Sequence, residues 1–275
     1  VFEQSSQVTV YLVDDGSTDG TSDAVNQSYP EVNVIPGNGS LFWVGGMYLA
    51  FSEALNVEHD YYLWLNDDTL LEPDAFTHLL SVHRRLKQQG YSDSIVVGST
   101  QDARTGKPTY GGAVRTRSWY SNKFEFVEPS TEIQPCDTFF GNCVLISNSV
   151  AQAVGNVDRA FVHTLGDLDY GLRAKKLGYS SWVAPGYIAT CSRNAVTGSW
   201  ADLDLSVWQR LQKATQIKGF PLRPWTVFTM RHSGVLWFLY WFLPYIRAVV
   251  GYRSLDASPT FRADEPTSAT TSSQG

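Results

Sequence analysis

Acid is missing from one long stretch of this 275-residue chain. Between Leu205 and Leu255 there is no Asp or Glu, while Arg210, Lys213, Lys218, Arg223, Arg231, Arg247 and Arg253 supply seven positive charges. Cysteine is scarce too. Cys136, Cys143 and Cys191 form an odd, widely spaced set that suits neither a disulfide framework nor a zinc site, and this points to a reducing compartment. Excess positive charge is lacking overall, since the net charge of −6 argues against a general nucleic-acid binder. No GxGxxG follows a first strand, which argues against a dinucleotide-dependent dehydrogenase. No signal peptide is visible, and the opening Val1-Phe2-Glu3-Gln4 lacks a methionine, so the chain reads as a fragment that starts partway into its fold.

A long apolar run is also lacking. The nearest to one is Gly234 to Gly251, shorter than the ~20 residues a spanning helix needs and interrupted by Pro244 and Arg247. Its aromatic residues and basic flanks suit a segment lying in a membrane interface, and a buried C-terminal helix is the alternative. After Ser254 the composition turns to Ser, Thr, Pro, Asp and Gln, the signature of a disordered tail. With 43% hydrophobic and 17% charged residues, the remainder can bury the core of one large domain. The expected organisation is a domain over residues 1–204, a basic aromatic helical extension over 205–253 and a tail over 254–275.

What the chain does contain is carboxylates at the ends of strands. Val10-Tyr-Leu-Val13 runs into Asp14-Asp15-Gly16-Ser17-Thr18-Asp19-Gly20, and Tyr61-Tyr-Leu-Trp-Leu65 runs into Asn66-Asp67-Asp68. Open α/β sheets bind ligands at the carboxyl ends of their strands, where acids hold either a hard cation or nucleotide hydroxyls. A third cluster, Gly166-Asp167-Leu168-Asp169, opens a helix that closes at Gly178. Each cluster has a plainer reading: an Asx-turn for Asp14-Asp15 and for Asn66-Asp67, and capping for Asp167 and Asp169.

Strand and helix signals alternate along the chain. Strands are expected at Val8–Val13, Val32–Ile35, Tyr61–Leu65, Ile95–Gly98 and Val144–Ile146. Helices are expected at Asp19–Asn26, Met47–Leu55, Pro73–Gln89 and Asp169–Leu177, the first capped by Thr18 or Asp19. Residues 36–40 read as a flexible loop, and residues 110–126 as short aromatic and basic pieces. Such alternation argues α/β with a mostly parallel sheet.

The ordered set of Asp14-Asp15-Gly16-Ser17-Thr18-Asp19-Gly20, Asn66-Asp67-Asp68 and Gly166-Asp167-Leu168-Asp169-Tyr170 resembles family 2 glycosyltransferases over roughly residues 8–187. Within that family, Phe42-Trp43-Val44-Gly45-Gly46-Met47 and Phe139-Phe140-Gly141-Asn142-Cys143 resemble the rhamnosyltransferase-like branch. The resemblance implies a GT-A (Rossmann-like) fold with a helical C-terminal extension. It implies a nucleoside diphosphate sugar donor, UDP- or dTDP-linked, and inverting transfer to a polysaccharide or lipid-linked glycan. It places Asp68 on Mg²⁺ or Mn²⁺, Asp67 near the donor ribose or sugar, and Asp14 and Asp15 under the nucleoside. Asp167 becomes the general base, and Asp169 a brace.

Trp43 with Gly45 and Gly46 reads as a sugar platform, or else as a buried Trp beside a tight turn. The departures from the family are Asn66 in place of an acid, Gly166 ahead of the base, a first strand that looks to be missing, and Cys191-Ser192-Arg193-Asn194 where relatives carry a metal-binding His. His163 and His232 have no assigned role. The expected location is cytoplasmic, peripheral on the inner face of the cell membrane, with no nucleic-acid partner. Two alternatives stay open: a sugar nucleotidyltransferase, and a non-catalytic carbohydrate-binding protein on a degraded transferase fold.

Overall fold

The structure, a computed structural model, describes residues 8–118, 121–192 and 198–251. The tail expected over 254–275, Arg253, and Arg193 and Asn194 lie outside these residues. In chain order the described residues form β1 (Tyr11–Asp14), α1 (Thr21–Ser28), β2 (Asn33–Pro36), α2 (Phe42–Leu55), β3 (Tyr61–Leu65), β4 (Leu70–Leu71) and α3 (Ala75–Gln88). There follow β5 (Ser94–Gln101), β6 (Gly112–Ser118), β7 (Ser121–Phe126), β8 (Gln134–Cys136), β9 (Thr138–Phe139) and β10 (Cys143–Ser147). The chain then builds α4 (Asn148–Val154), α5 (Gly166–Lys176), β11 (Ser180–Thr190), α6 (Val207–Ala214), α7 (Leu222–His232) and α8 (Trp237–Val250).

The central sheet runs β3-β10-β5-β11-β4, with β8 also paired to β11. β5 and β10 are buried along nearly their whole length, and their successive side chains pack against opposite layers. Ile95 and Val97 of β5 and Val144 and Ile146 of β10 join one core, with Phe51, Trp64, Tyr170 and Phe228. Val96, Cys143 and Leu145 point the other way, against Ala75, Leu79, Val82 and Leu86 of α3. The α3 residues recur every three or four positions, the spacing of one helical face. Thus α2, α4, α5 and α7 cover one side of the sheet and α3 the other.

The α/β architecture matches the expectation, but the pairing of strands corrects one part of it. Only β5 and β11 are parallel within this sheet, while β10 lies antiparallel to both β3 and β5. The reason is the connection from β5 to β10. It is built of strands, with β6 and β7 forming an antiparallel hairpin where short pieces were expected, and so it lacks the crossover helix that a parallel return requires. β1 and β2 do pair in parallel, as a separate two-stranded ladder.

Helix starts shift as well, α3 beginning at Ala75 rather than Pro73 and α5 at Gly166 rather than Asp169. α1 begins at Thr21 rather than Asp19, because Gly20 takes a left-handed φ of 86° ahead of it. Asp19 serves that start from outside, accepting hydrogen bonds from the Thr21 amide (3.1 Å) and hydroxyl (2.6 Å). α2 begins at Phe42 rather than Met47, so Gly45 and Gly46 lie inside a helix and not in a turn.

The acid-free stretch folds as α6, α7 and α8. α6 opens with a capping box between Ser206 and Gln209. α8 buries Tyr240, Pro244 and Ala248, one residue per turn, and leaves Phe238, Leu239, Phe242, Ile246 and Val249 exposed. No helix among the described residues is long and apolar enough to cross a membrane.

Candidate active site

All three acidic clusters converge on the first turn of α2. The Asp15 carboxylate accepts hydrogen bonds from the amides of Gly39 (2.7 Å), Leu41 (2.8 Å) and Phe42 (3.2 Å). It therefore orders the loop expected to be flexible and supplies the opening turn of α2 with an acceptor, as an N-cap would. Its neighbour Asp14 accepts from the Ser17 amide (2.8 Å) and the Ser22 hydroxyl. Hydrogen bonds from Ser17 and Ser22 hold the Asp14 carboxyl below its usual range. Asp14 thus braces the turn after β1, and Asp15 the loop that leads into α2.

Trp43, on that first turn, reaches the second cluster. Its indole N–H donates to Asn66 Oδ1 at 2.7 Å. The Asn66 amide N–H is fixed in turn by the Asn142 carbonyl at 3.1 Å. Asp67 and Asp68 follow at the end of β3 with exposed side chains. The glycines expected to share a platform with Trp43 face elsewhere. A Cβ on Gly45 would meet Leu41 Cβ at 3.0 Å, and one on Gly46 would lie 3.8 Å from Val13, so both serve the packing of α2.

The third cluster closes the ring. Gly141 lies between the Trp43 indole and Asp167: a Cβ there would fall 2.6 Å from Trp43 Cζ2 and 3.3 Å from Asp167 Cβ. The Gly141 amide donates to Asp167 Oδ2 at 3.0 Å, and the Leu168 amide to Oδ1 at 2.8 Å. Burial nevertheless raises the Asp167 carboxyl above its usual range, outweighing those bonds. A carboxylate with raised proton affinity at a helix N-terminus is suited to accept a proton. The residue at the N-cap of α5, Leu165, takes a left-handed φ of 73°. Such strain costs a non-glycine residue of order 1–3 kcal/mol and clusters at functional sites.

Two residues along, Asp169 is 0% exposed. It accepts from Arg173 Nε (2.8 Å) on its own helix, and from Arg231 Nη1 (2.7 Å) and His232 Nε2 (2.8 Å) on α7. Burial would raise its pKa, but the hydrogen bonds of His232, Arg173 and Arg231 win and hold it low. His232, whose side chain is itself buried, is pushed below the usual imidazole range by that burial. The arginines have further partners: Arg231 meets Asp158 at 2.6 Å, and Arg173 donates to the carbonyls of Val154 (2.7 Å) and Asn156 (2.8 Å). Asp169 therefore ties α5 to α7, and His232 is one of the groups that hold it. His163 packs edge-on against Phe42, at 6.4 Å between ring centres.

Gly141, Asn142 and Leu165 enter the site without having been singled out for it, since nothing in their residue types announces a carboxylate partner or a strained φ. Cys191, marked in the sequence only as standing where relatives carry a metal-binding His, joins them. It follows β11, is 3% exposed, and places its thiol 3.5 Å from Asp68 Oδ1. The Asn142 side-chain amide points at the same sulfur, 3.6 Å away. Burial raises the Cys191 thiol, and drives the buried Cys136 and Cys143 thiols up to about 12.

Comparisons with known proteins bear on the family and the fold. N-acetylglucosaminyl-diphospho-decaprenol L-rhamnosyltransferases from two strains of Mycobacterium tuberculosis are 27% identical over 199 residues, covering 65% of this chain. The chain matches only 64% of the length of these relatives. Among solved structures, the mannosyltransferase PcManGT of Pyrobaculum calidifontis, in complex with GDP-Man and Mn²⁺, superposes with a TM-score of 0.52 at 13% identity, covering 91% of this chain and 66% of its own. GalNAc-T7 with UDP, GalNAc and Mn²⁺ gives a TM-score of 0.52 at 12% identity over 67% of this chain and 37% of its own. These two likenesses establish the fold, a GT-A-like α/β sheet flanked by helices. The model of the family "Glycosyl transferase family 2" matches residues 1–155, more than half the sequence, and the chain belongs to that family.

Proposed function

We propose that this chain is an inverting glycosyltransferase that moves a sugar from a UDP- or dTDP-linked donor to a polysaccharide or lipid-linked glycan. The observation that carries this reading is the Asp167 carboxylate. It is pinned by two amides at the start of α5, raised in proton affinity, and set across Gly141 and Trp43 from Asn66-Asp67-Asp68. Asp167 takes the proton of the acceptor hydroxyl as that oxygen bonds to the anomeric carbon, and the diphosphate departs from the opposite face. One base suffices, with no covalent intermediate on the protein.

The donor set at the end of β3 fits a hard divalent cation, because Asp67 and Asp68 are exposed carboxylates that offer hard oxygen donors. Mg²⁺ or Mn²⁺ held by Asp68 would supply charge neutralisation of the leaving diphosphate. Asp67 faces the donor ribose or sugar, and Trp43 offers the edge of the sugar site. Asp14 and Asp15 hold the turn and loop that floor the nucleoside pocket. The lipid-linked acceptor is supported by the decaprenol-linked substrate in the name of the mycobacterial relatives.

The same reading places the protein at the cytoplasmic face of a membrane. α8 presents exposed Phe238, Leu239, Phe242 and Ile246, preceded by Val235, which is 90% exposed. Exposed Lys213, Lys218 and Arg223 lie on the neighbouring segments, and residues 205–251 contain no acid. An apolar helical face with basic surroundings suits an anionic lipid interface.

The test is Asp167→Asn, followed by nucleotide release from a donor and by calorimetric titration with UDP, dTDP and GDP, with and without Mn²⁺. Turnover is expected to fall by about 10²- to 10⁴-fold while nucleotide affinity is kept. Unchanged turnover removes Asp167 from the base role, and no nucleotide binding by the wild type removes the transferase reading.

A further inference from the structure

We propose that the loop joining α6 to α7 is the anion-binding part of the acceptor site. Lys218 and His163 take the phosphate or diphosphate that joins a lipid-linked glycan to its lipid, and the exposed face of α8 takes the lipid. This rests on the transferase reading for the class of acceptor, and goes beyond it in naming the groups that hold the acceptor's charged joint.

The loop is fixed on three sides. The Gly219 amide donates to the Gln216 carbonyl at 2.8 Å and the Phe220 amide to the Ala214 carbonyl at 2.6 Å, which closes the loop on the end of α6. Gly219 has no room for a side chain, since a Cβ there would lie 2.5 Å from the Ala214 carbonyl oxygen. From α8, the Tyr245 hydroxyl donates to the Phe220 carbonyl at 2.6 Å. From the other direction, the Thr164 hydroxyl donates to the Gly219 carbonyl at 3.3 Å. Exposed Lys218 is therefore carried on a set backbone beside His163 and Thr164, four and three residues ahead of Asp167.

His163 supplies the second group. Its ring packs on Phe42 at the start of α2, and its Nδ1 is enclosed with no hydrogen-bond partner. A proton on Nδ1 would be stranded, so the neutral ring carries its proton on Nε2, as a donor. Burial, and then the nearby charge of Lys218, lower the imidazole pKa and keep the ring neutral at physiological pH. Among the described residues Lys218 makes no ion pair, and residues 205–251 contain no acid. Exposed Lys213 and Arg223 add positive charge on the adjoining ends of α6 and α7. An ammonium and an N–H donor brought together without an acceptor are what a phosphate oxyanion satisfies.

The order of groups along this wall selects the acceptor over the donor. In the transferase reading the donor lies at the ends of β1 and β3, by Asp14-Asp15 and Asp67-Asp68. The loop packs instead on the segment that leads into the base, and its far side is α8. Tyr245, which ties the loop to α8, has exposed Phe242 and Val249 one turn to either side. Hydroxyl, phosphate and hydrocarbon of a lipid-linked acceptor thus meet Asp167, the Lys218–His163 pair and the apolar face of α8, in that sequence.

The experiment is calorimetric titration of the full chain with geranyl diphosphate, geraniol and inorganic diphosphate. A chelator is present, so that no diphosphate is drawn to the carboxylates through a cation. Wild type is expected to bind geranyl diphosphate about tenfold more tightly than either fragment, because its two parts occupy adjoining places. K218E and H163A, checked for folding by circular dichroism, should lower that affinity about tenfold and about threefold. H163Q, which restores an N–H donor, should recover most of the second loss, and K213E should cause none. Geranyl diphosphate binding that K218E leaves unchanged overturns the proposal, and an equal loss in K213E does so by reducing the effect to surface charge. Inorganic diphosphate that binds as tightly as geranyl diphosphate would mark a free-phosphate site and overturn it as well. So would a K218E protein that loses UDP or dTDP, in Mn²⁺, as strongly as geranyl diphosphate, since Lys218 would then serve the donor. Nucleotide binding with no geranyl diphosphate binding overturns this inference alone. Geranyl diphosphate binding with no nucleotide binding overturns the transferase reading and keeps the site.

Discussion

Replacing Asp169 by alanine tests the link between the helix that carries Asp167 and the C-terminal helices. The carboxylate is fully enclosed and accepts three charge-assisted hydrogen bonds of 2.7–2.8 Å, two of them from α7. Removing one partner from a buried ion pair costs about 3–5 kcal/mol. Here Arg231 keeps Asp158, and Arg173 keeps the carbonyls of Val154 and Asn156, so the lower end, about 3 kcal/mol, is expected. At this chain length each kcal/mol moves the midpoint of thermal unfolding by about 2–4 °C, which gives a fall of about 6–12 °C. Urea unfolding at constant m-value measures the same loss independently.

Turnover should fall as well, because a displacement of about 1 Å in a catalytic group costs about 10²-fold. That loss should appear in kcat more than in KM. The pH dependence has a definite sign. The Asp169 carboxyl is held low when folded, so its contribution to stability is present above the usual carboxylate range and is lost as pH falls through its folded value. The gap between wild type and variant should therefore close below about pH 4. A loss under about 1 kcal/mol at neutral pH, or an unchanged kcat, would refute the reasoning.

Two further outcomes concern other parts of the molecule. Gly141→Ala puts a methyl group 2.6 Å from Trp43 and should cost about 1–3 kcal/mol while separating Trp43 from Asp167. Its kcat should drop with the fold retained, and full activity would mean that this spacing is not needed. The double variant Phe238→Asp, Phe242→Asp changes two side chains exposed by 45% and 52%. It should weaken sedimentation with anionic vesicles by more than about tenfold and leave the circular dichroism unchanged, and equal sedimentation would remove α8 from the membrane contact.

Much of the site could be read from sequence because strands that end in carboxylates signal themselves twice, in apolar alternation and in an abrupt change of polarity. β3 was located to the residue on that basis, from Tyr61 to Leu65. The acidic helix start at Gly166–Asp167 was legible for a similar reason, with Arg173, Lys175 and Lys176 completing the dipole at its other end. What escaped was decided at long range. Nothing in Phe42-Trp43-Val44-Gly45-Gly46 announces a helix, since its two glycines oppose one, until Asp15, 27 residues earlier, caps its start. The direction of β10 depended on a hairpin excursion whose composition looked irregular. Cys191 stood out only as a departure from the family pattern, and its place beside Asp68 follows from the register between β11 and β4.

The Asp169 brace has a consequence for how the molecule comes into being. Its α7 partners lie sixty-two and sixty-three residues further along the chain. During synthesis the helix carrying Asp167 and Asp169 is made well before Arg231 and His232 emerge, and until then a carboxylate destined for a sealed interior lacks two of its three donors. Water must keep that position, and α5 cannot settle. A product that stops short of Arg231 would hold all three acidic clusters and still lack the contacts that seat α5 against α7. Competence for the reaction and completion of the chain through α7 are thereby made one event.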